Sequence, residues 1–265
     1  MILRGAIRLG ALFALLTDTI GESPRVDLGV REDYNPLLLR MLGAMPAGGG
    51  YATNSQAMEG LAAAIKLDSS ALLLTSQKAC PSFCSGATYL VFLGAISELI
   101  RSGQLSLNRS AARALLVHGQ RDGEGIWGRW NANGPGTARL FAELNLGSNF
   151  TDWSKARPGD FMKIFWNNEI GKLERGHSVI YLGRQTVEGI EHVNFWSSNR
   201  PLGYGFKLVP RSRIAWAVFS RLERPAELAR ADALPPSDPY LASLLTTRSN
   251  QEEVRSKCSL DLLRR

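Results

Sequence analysis

The hydrophobic pattern of this chain changes period near its midpoint, and that change restricts the fold more than any single motif. In the first half apolar residues recur at helical spacing: Met58, Leu61, Ala62 and Ile65 within Ala57–Leu67, then Leu93, Ile96, Leu99 and Ile100, then residues 109–118 and Thr137–Leu144. In the second half Asp160–Trp166, Ser178–Leu182, Ile190–Trp196 and Ile214–Phe219 read as strands, divided by Pro158-Gly159, Gly176, Gly183 and Gly203. Helices followed by strands, with no alternating β-α units, predict an α+β domain rather than a doubly wound one. A chain of 265 residues can bury a substantial core in such a domain.

The remaining segments are read from their breakers. Residues 22–50 mix charge, Pro and Gly around one apolar patch, Leu37–Leu42, and Gly48-Gly49-Gly50 predicts a loop. Asp122–Phe150 opens with glycines so dense that a loop is expected before Thr137–Leu144. Its Trp127 and Trp130 either line a cleft or plug a core. After Arg221 the pattern decays into Pro235-Pro236 and Pro239, and a tail ending in Lys257–Arg265 could form one exposed helix.

Arg4 and Arg8, the apolar Leu9–Leu16, and the small residues Thr19 and Gly21 read as a secretory signal over residues 1–21, with an ordinary amphipathic helix as the alternative. A secreted, periplasmic or cell-envelope location is therefore expected. No apolar run approaches the roughly 20 residues that cross a bilayer, so no membrane span is expected. The formal charge of +7 suits an anionic polymer such as nucleic acid or cell wall. The Lys and Arg residues are scattered, and no nucleic-acid motif accompanies them, so nucleic acid is not the expected partner.

One stretch carries the chemistry. Lys78 to Phe92 places Cys80, Pro81 and Cys84 ahead of a long apolar helix, and Pro81 fits a first turn but not a helix interior, so the helix is expected to begin between Pro81 and Ser85. Cys84 then lies at the helix amino end, where unpaired N–H groups and the positive dipole end favour a thiolate. The alternative is a small buried core residue. The cysteines number three, Cys80, Cys84 and Cys258. In an exported protein a Cys80–Cys258 disulfide would leave Cys84 free, whereas Cys80–Cys84 would consume it. No Cys/His spacing of the zinc type occurs, and neither a metal nor a cofactor is expected.

A thiol nucleophile needs a base, and the histidines are His118, His177 and His192. His177 opens a short apolar strand in Gly176-His177-Ser178-Val179-Ile180-Tyr181-Leu182-Gly183. His192 lies within the next strand, and His118 ends a helix, where it suits the dipole. Alternation along the third strand sets His192 and Asn194 on one face and Ser197 and Asn199 on the other.

Cys84-Ser85-Gly86 at the head of an apolar helix resembles the nucleophile motif of the NlpC/P60 and CHAP-type cysteine peptidases and amidases. Pro158-Gly159-Asp160-Phe161 and the Gly176–Gly183 segment resemble their paired central strands, in the same order. Val193-Asn194-Phe195-Trp196-Ser197-Ser198-Asn199 is similar to their third strand, whose end bears a polar residue that orients the histidine. The resemblance covers residues 70–222. It implies a papain-like catalytic domain there, with a nucleophile helix packed on a central antiparallel sheet, preceded by an extension over 22–69 and followed by a tail over 223–265.

It also implies roles: Cys84 as nucleophile, His177 as base and later acid, and Asn199 as orienter, with His192 and Ser197 as the other candidates for that third place. Gln77 and Trp196 are the candidates for oxyanion or substrate binding. The segment between Cys84 and Pro158 is longer than the pattern asks. The implied activity is amide hydrolysis in peptidoglycan stem peptides or other peptides. An acyltransferase on the same fold and a non-catalytic wall-associated module are the alternatives.

Overall fold

The computed structural model describes residues 32–69 and 71–261, so the signal expected over 1–21 lies outside the described residues. Helix α1 (Asn35–Gly43), strand β1 (Gly48–Gly49), helix α2 (Ser55–Ala63) and the hairpin β2 (Ile65–Asp68) and β3 (Ala71–Leu74) lead into helix α3 (Cys84–Arg101). Helices α4 (Arg109–Ala114), α5 (Gly125–Asn131) and α6 (Gly136–Leu144) follow. Strands β4 (Gly147–Phe150), β5 (Phe161–Phe165), β6 (Ile170–Gly171), β7 (Gly176–Val187), β8 (Ile190–Asn199), β9 (Gly203–Pro210) and β10 (Trp216–Leu222) come next. Helix α7 (Pro239–Ser243), strand β11 (Arg248–Ser249) and helix α8 (Gln251–Lys257) close the chain.

Seven strands form one sheet in the order β1-β9-β8-β7-β5-β10-β4, with every neighbouring pair antiparallel. The α+β class expected from the change of period is what the chain adopts. Alternation divides the two faces of the sheet. Phe161, Ile180 and Trp196 join Tyr89, Leu90, Phe92 and Leu93 of α3 in one core, while Met162, Val179, Val193 and Phe195 build a second core on the other face. The middle of α3 is buried all round, which is why its sequence is apolar on every side rather than along one stripe.

Three local expectations are corrected. The helix read as Ala57–Leu67 ends at Ala63, because Ile65–Asp68 pairs with the adjacent apolar run Ala71–Leu74 in register Ile65↔Leu74 to Asp68↔Ala71. Strand pairing with a neighbour one tight turn away wins over another helical turn. The loop expected through the glycine-rich segment contains α5, whose Ile126, Trp127 and Trp130 are anchored in the core. Glycine there serves close packing: a Cβ on Gly128 would stand 2.0 Å from the Arg121 carbonyl oxygen. Gly203, read as a divider, instead begins β9, with φ +88° and no room for a side chain, since an added Cβ would stand 2.3 Å from the Gly48 carbonyl oxygen.

The limits at 70 and 222 do not divide the described structure, since the described residues belong to a single compact unit. Asp160 shows how the flanks are tied in. It is fully buried, Oδ1 accepts from Asn35 Nδ2 and Arg221 Nε, both at 2.8 Å, and Oδ2 accepts from the Arg157 N–H and Arg221 Nη2, both at 2.7 Å. One carboxylate thereby binds α1, the turn before β5, and β10. On the tail side, fully buried Arg129 donates to Glu143, to the Gly125 carbonyl and to the Pro235 carbonyl. Truncating Asp160 leaves the Arg221 guanidinium half-sequestered without its partner, so Asp160→Ala is expected to lower stability by about 3–5 kcal/mol in urea unfolding followed by circular dichroism. A loss below about 1 kcal/mol would show that the four bonds are replaceable by water.

Candidate active site

Helix α3 starts at Cys84, with extended Phe83 at its cap position and no side-chain cap. Its first-turn N–H groups are left for other acceptors. Two contacts fix this end of the helix against the start of β7. Thr88 Oγ1 and Ser178 Oγ lie 2.9 Å apart, and Trp130 Nε1 donates to the Ser85 carbonyl and to Thr88 Oγ1, each at 3.2 Å. Cys84 consequently meets the side chain of His177 and the backbone N–H of Ser178.

The thiol is half-buried, and desolvation alone would push its pKa up. The His177 hydrogen bond and charge, the Ser178 N–H and the Lys163 ammonium outweigh that and bring Cys84 down to about 6. At neutral pH the sulfur is therefore a thiolate, the form that attacks carbon.

His177 is held from its other side. Its Nε2 lies 3.1 Å from Asn199 Oδ1, and the Asn199 amide nitrogen donates to the Ser197 carbonyl at 3.1 Å and the Gly205 carbonyl at 2.8 Å. With both N–H groups directed at carbonyls, the amide cannot be flipped without setting oxygen against oxygen. Asn199 must therefore accept at Nε2, which places a proton there and leaves Nδ1 to exchange a proton with sulfur. The imidazole is further packed against the rings of Trp166, 6.2 Å away, and Phe195, 5.7 Å away.

Of the residues singled out in the sequence, Cys84, His177 and Asn199 come together. Ser197 lies on the same strand face, but its hydroxyl donates to the Ser178 carbonyl and holds the strands rather than the ring. His192 hydrogen-bonds the Ile190 carbonyl in the distal part of the β7–β8 hairpin, and His118 is exposed. Gln77 is exposed on a short turn, Ser76–Lys78, and does not line the space around Cys84. Trp196 is buried and stacks on Tyr204 at 5.7 Å, supporting the chain before α3 through the Tyr204 bond to the Ala79 carbonyl. The conditional Cys80–Cys258 pairing is absent. All three cysteines are free, and Cys258 is buried with Ala138, Phe165 and Val254, in a different core from the one Cys80 packs against.

The chain matches no family model, no curated protein and no solved structure. The geometry of the site is thus the whole basis for reading it. Among the described residues no group of His, Cys, Asp and Glu is arranged to hold a metal ion, and no helix is long and apolar enough to cross a membrane.

Cys84 stands between two recesses. A polar cleft of 430 Å³ is walled by Asn131, Asn133, Lys163, Ser178 and Arg200, and a smaller one of 180 Å³ by Tyr51, Met58 and Phe83. Tyr51 is the contributor that sequence reasoning passed over. Its segment is stitched between the helix start and the β8–β9 turn: Ser82 N–H donates to the Gly50 carbonyl, Ala52 N–H to the Ser82 carbonyl, and Tyr51 N–H to the Pro201 carbonyl. Burial and the neighbouring Cys84 charge push the Tyr51 phenol up to about 12 against the pull of Arg200, so it stays protonated and can donate beside the sulfur. An aromatic residue directly after three glycines was the available signal, since clustered glycine marks close approach of backbones as well as loops.

The balance of causes at Cys84 predicts a pH profile. Rates of iodoacetamide alkylation should rise through a midpoint near 6 in the wild-type protein. In His177→Ala the lowering contributions of the imidazole vanish while burial remains, so the midpoint moves up toward the ordinary thiol range of about 8.5. Lys163→Met should move it the same way by less. An unshifted midpoint in folded His177→Ala would dissociate the two residues.

Proposed function

We propose that this chain is an exported cysteine hydrolase of the papain-like, NlpC/P60 type that cleaves amide bonds in peptidoglycan stem peptides. The observation that carries the reading is the Cys84 thiol set beside His177, whose ring is hydrogen-bonded to Asn199 held in a single available orientation. A thiol at the amino end of a buried helix, packed on an antiparallel sheet with the histidine and the asparagine on neighbouring strands, supports the papain-like assignment. The net charge of +7 favours the anionic cell wall as the surroundings.

The steps need only these side chains. The Cys84 thiolate attacks the amide carbonyl carbon, a C–S bond forms, and the π electrons move to oxygen. That oxyanion forms at the uncapped amino end of α3, where the Cys84 N–H and the Tyr51 hydroxyl are the donors. On collapse the C–N bond breaks, and the departing amine takes the proton of the His177 imidazolium, leaving a thioester. Neutral His177 then removes a proton from water as its oxygen attacks the thioester carbon. The carboxylic acid departs, the thiolate returns, and His177 is again protonated. Asn199 holds the ring in the plane that serves both transfers.

The test is digestion of purified peptidoglycan with mass analysis of the products. Wild-type protein should release stem-peptide fragments, Cys84→Ala none, and Cys80→Ser much of the wild-type yield. Asn199→Ala and Tyr51→Phe should each lower kcat by about 10- to 100-fold, since one misorients the ring and the other removes an oxyanion donor. Equal product from wild type and Cys84→Ala would refute the assignment.

A further inference from the structure

The 430 Å³ cleft next to Cys84 is lined by three charged side chains, Lys163, Glu174 and Arg200. Glu174 is committed within the protein. It is 4% exposed, its Oε1 accepts from Lys163 Nζ at 2.8 Å, and its Oε2 accepts from the Gly134 and Gly171 N–H groups at 2.5 and 2.8 Å. Lys163 has three N–H donors, of which Glu174 takes one, and among the described residues no second oxygen acceptor meets it. The ammonium also lies 5.5 Å from the Phe165 ring centroid.

Arg200 is exposed, and its guanidinium carbon lies 5.0 Å from the Tyr51 ring centroid. Among the described residues no carboxylate pairs with it. A further acid behind the wall, Asp122, accepts from Asn131 Nδ2 at 3.4 Å and the Asn133 N–H at 2.9 Å. Burial pushes its carboxyl up, against those two bonds and the Lys163 charge. The wall beside the thiol therefore carries two cations, and among the described residues only Lys163 has a carboxylate partner.

Arg200 directly follows Asn199 in the chain, so its backbone is as fixed as the orienting amide itself. Its guanidinium lies on Tyr51, and Arg200 and Cys84 line the same cleft, which sets the fork at the substrate's reacting end rather than at a remote rim. A planar carboxylate matches that fork through two parallel hydrogen bonds, which a carboxamide cannot accept twice. We infer that Arg200 binds a carboxylate of the substrate adjacent to the scissile amide, with Lys163 as a second cation along the same cleft, so that acidic residues at the cleavage point are selected over their amidated forms. This rests on the amide-hydrolase reading and names the substrate chemistry of the same site.

The experiment compares two synthetic peptides that differ only in Glu or Gln beside the cleaved bond, with wild type, Arg200→Met, Arg200→Lys and Lys163→Met. Wild type should favour the carboxylate peptide by about tenfold or more in kcat/KM, chiefly through KM, because a charge-assisted pair is being gained. Arg200→Met should bring the ratio close to one, Arg200→Lys should restore part of it, and Lys163→Met should reduce it by less. A wild-type ratio near one, or an unchanged ratio in natively folded Arg200→Met, overturns the inference. A calorimetric titration of Cys84→Ala with the same peptides separates it from the reading beneath it. Preferred binding of the carboxylate peptide without turnover by wild type sustains the cleft assignment and rejects the hydrolase. Turnover with equal binding and equal rates does the reverse, and neither binding nor turnover rejects both.

Discussion

Everything in the site depends on holding the amino end of one buried helix against the start of one strand. Thr88, one turn into α3, and Ser178, the residue after His177, share a hydrogen bond of 2.9 Å, and Trp130 donates to the same threonine. Thr88 and Trp130 are buried and Ser178 is half-buried, so water competes little for the bond, and it acts as a register pin rather than a surface contact. Displacing α3 along its axis would separate sulfur from imidazole and also break this pin. The aromatic cluster of Tyr89, Phe92, Trp127, Trp130 and Phe161, with ring centroids 4.9–6.1 Å apart, resists the same displacement by packing.

The electrostatics follow from that placement. A thiol drawn out of water is harder to ionise, and here that penalty is the largest single effect on Cys84. It is overcome because several smaller contributions converge: a hydrogen bond and a charge from one imidazole, one backbone N–H, and one ammonium. The ammonium belongs to Lys163, which is held in place by its 2.8 Å pairing with Glu174, and Glu174 in turn is held by two backbone N–H groups. The sulfur is thus tuned through a chain of contacts that ends in the loop after α5.

What the sequence disclosed and what it withheld divide along physical lines. Helix α3 and the central strands were legible because burial stamps a period on the residues, and Cys84, His177 and Asn199 were legible because each sits at the end of such an element. Strand β9 was not, since Phe206 and Leu208 on it are exposed and Lys207 interrupts them, leaving no alternation to read. The helix α5 was hidden by glycines that exist for close packing against Arg121 rather than for a turn. Arg200 carried no signal of its own and Tyr51 only the glycines before it, because their positions come from backbone bonds between segments remote in the chain, such as Gly50 to Leu202 and Ser82 to Gly50. Gln77 was near Cys84 in number only.

The spread of these residues along the chain has a consequence for the protein while it is being made. Tyr51, Cys84, His177 and Asn199 meet only when β7, β8 and β9 have paired, which brings together parts of the chain separated by most of its length. Contacts of such long range close late in folding. Until then the Cys84 sulfur has neither an imidazole nor an ammonium beside it and behaves as an ordinary thiol, mostly protonated at neutral pH. A ribosome-bound fragment that stops short of β5 therefore contains this sulfur but neither the Lys163 ammonium nor the His177 imidazole that lower its pKa. The low thiol pKa is thus a property of the assembled sheet and not of the helix that carries the sulfur.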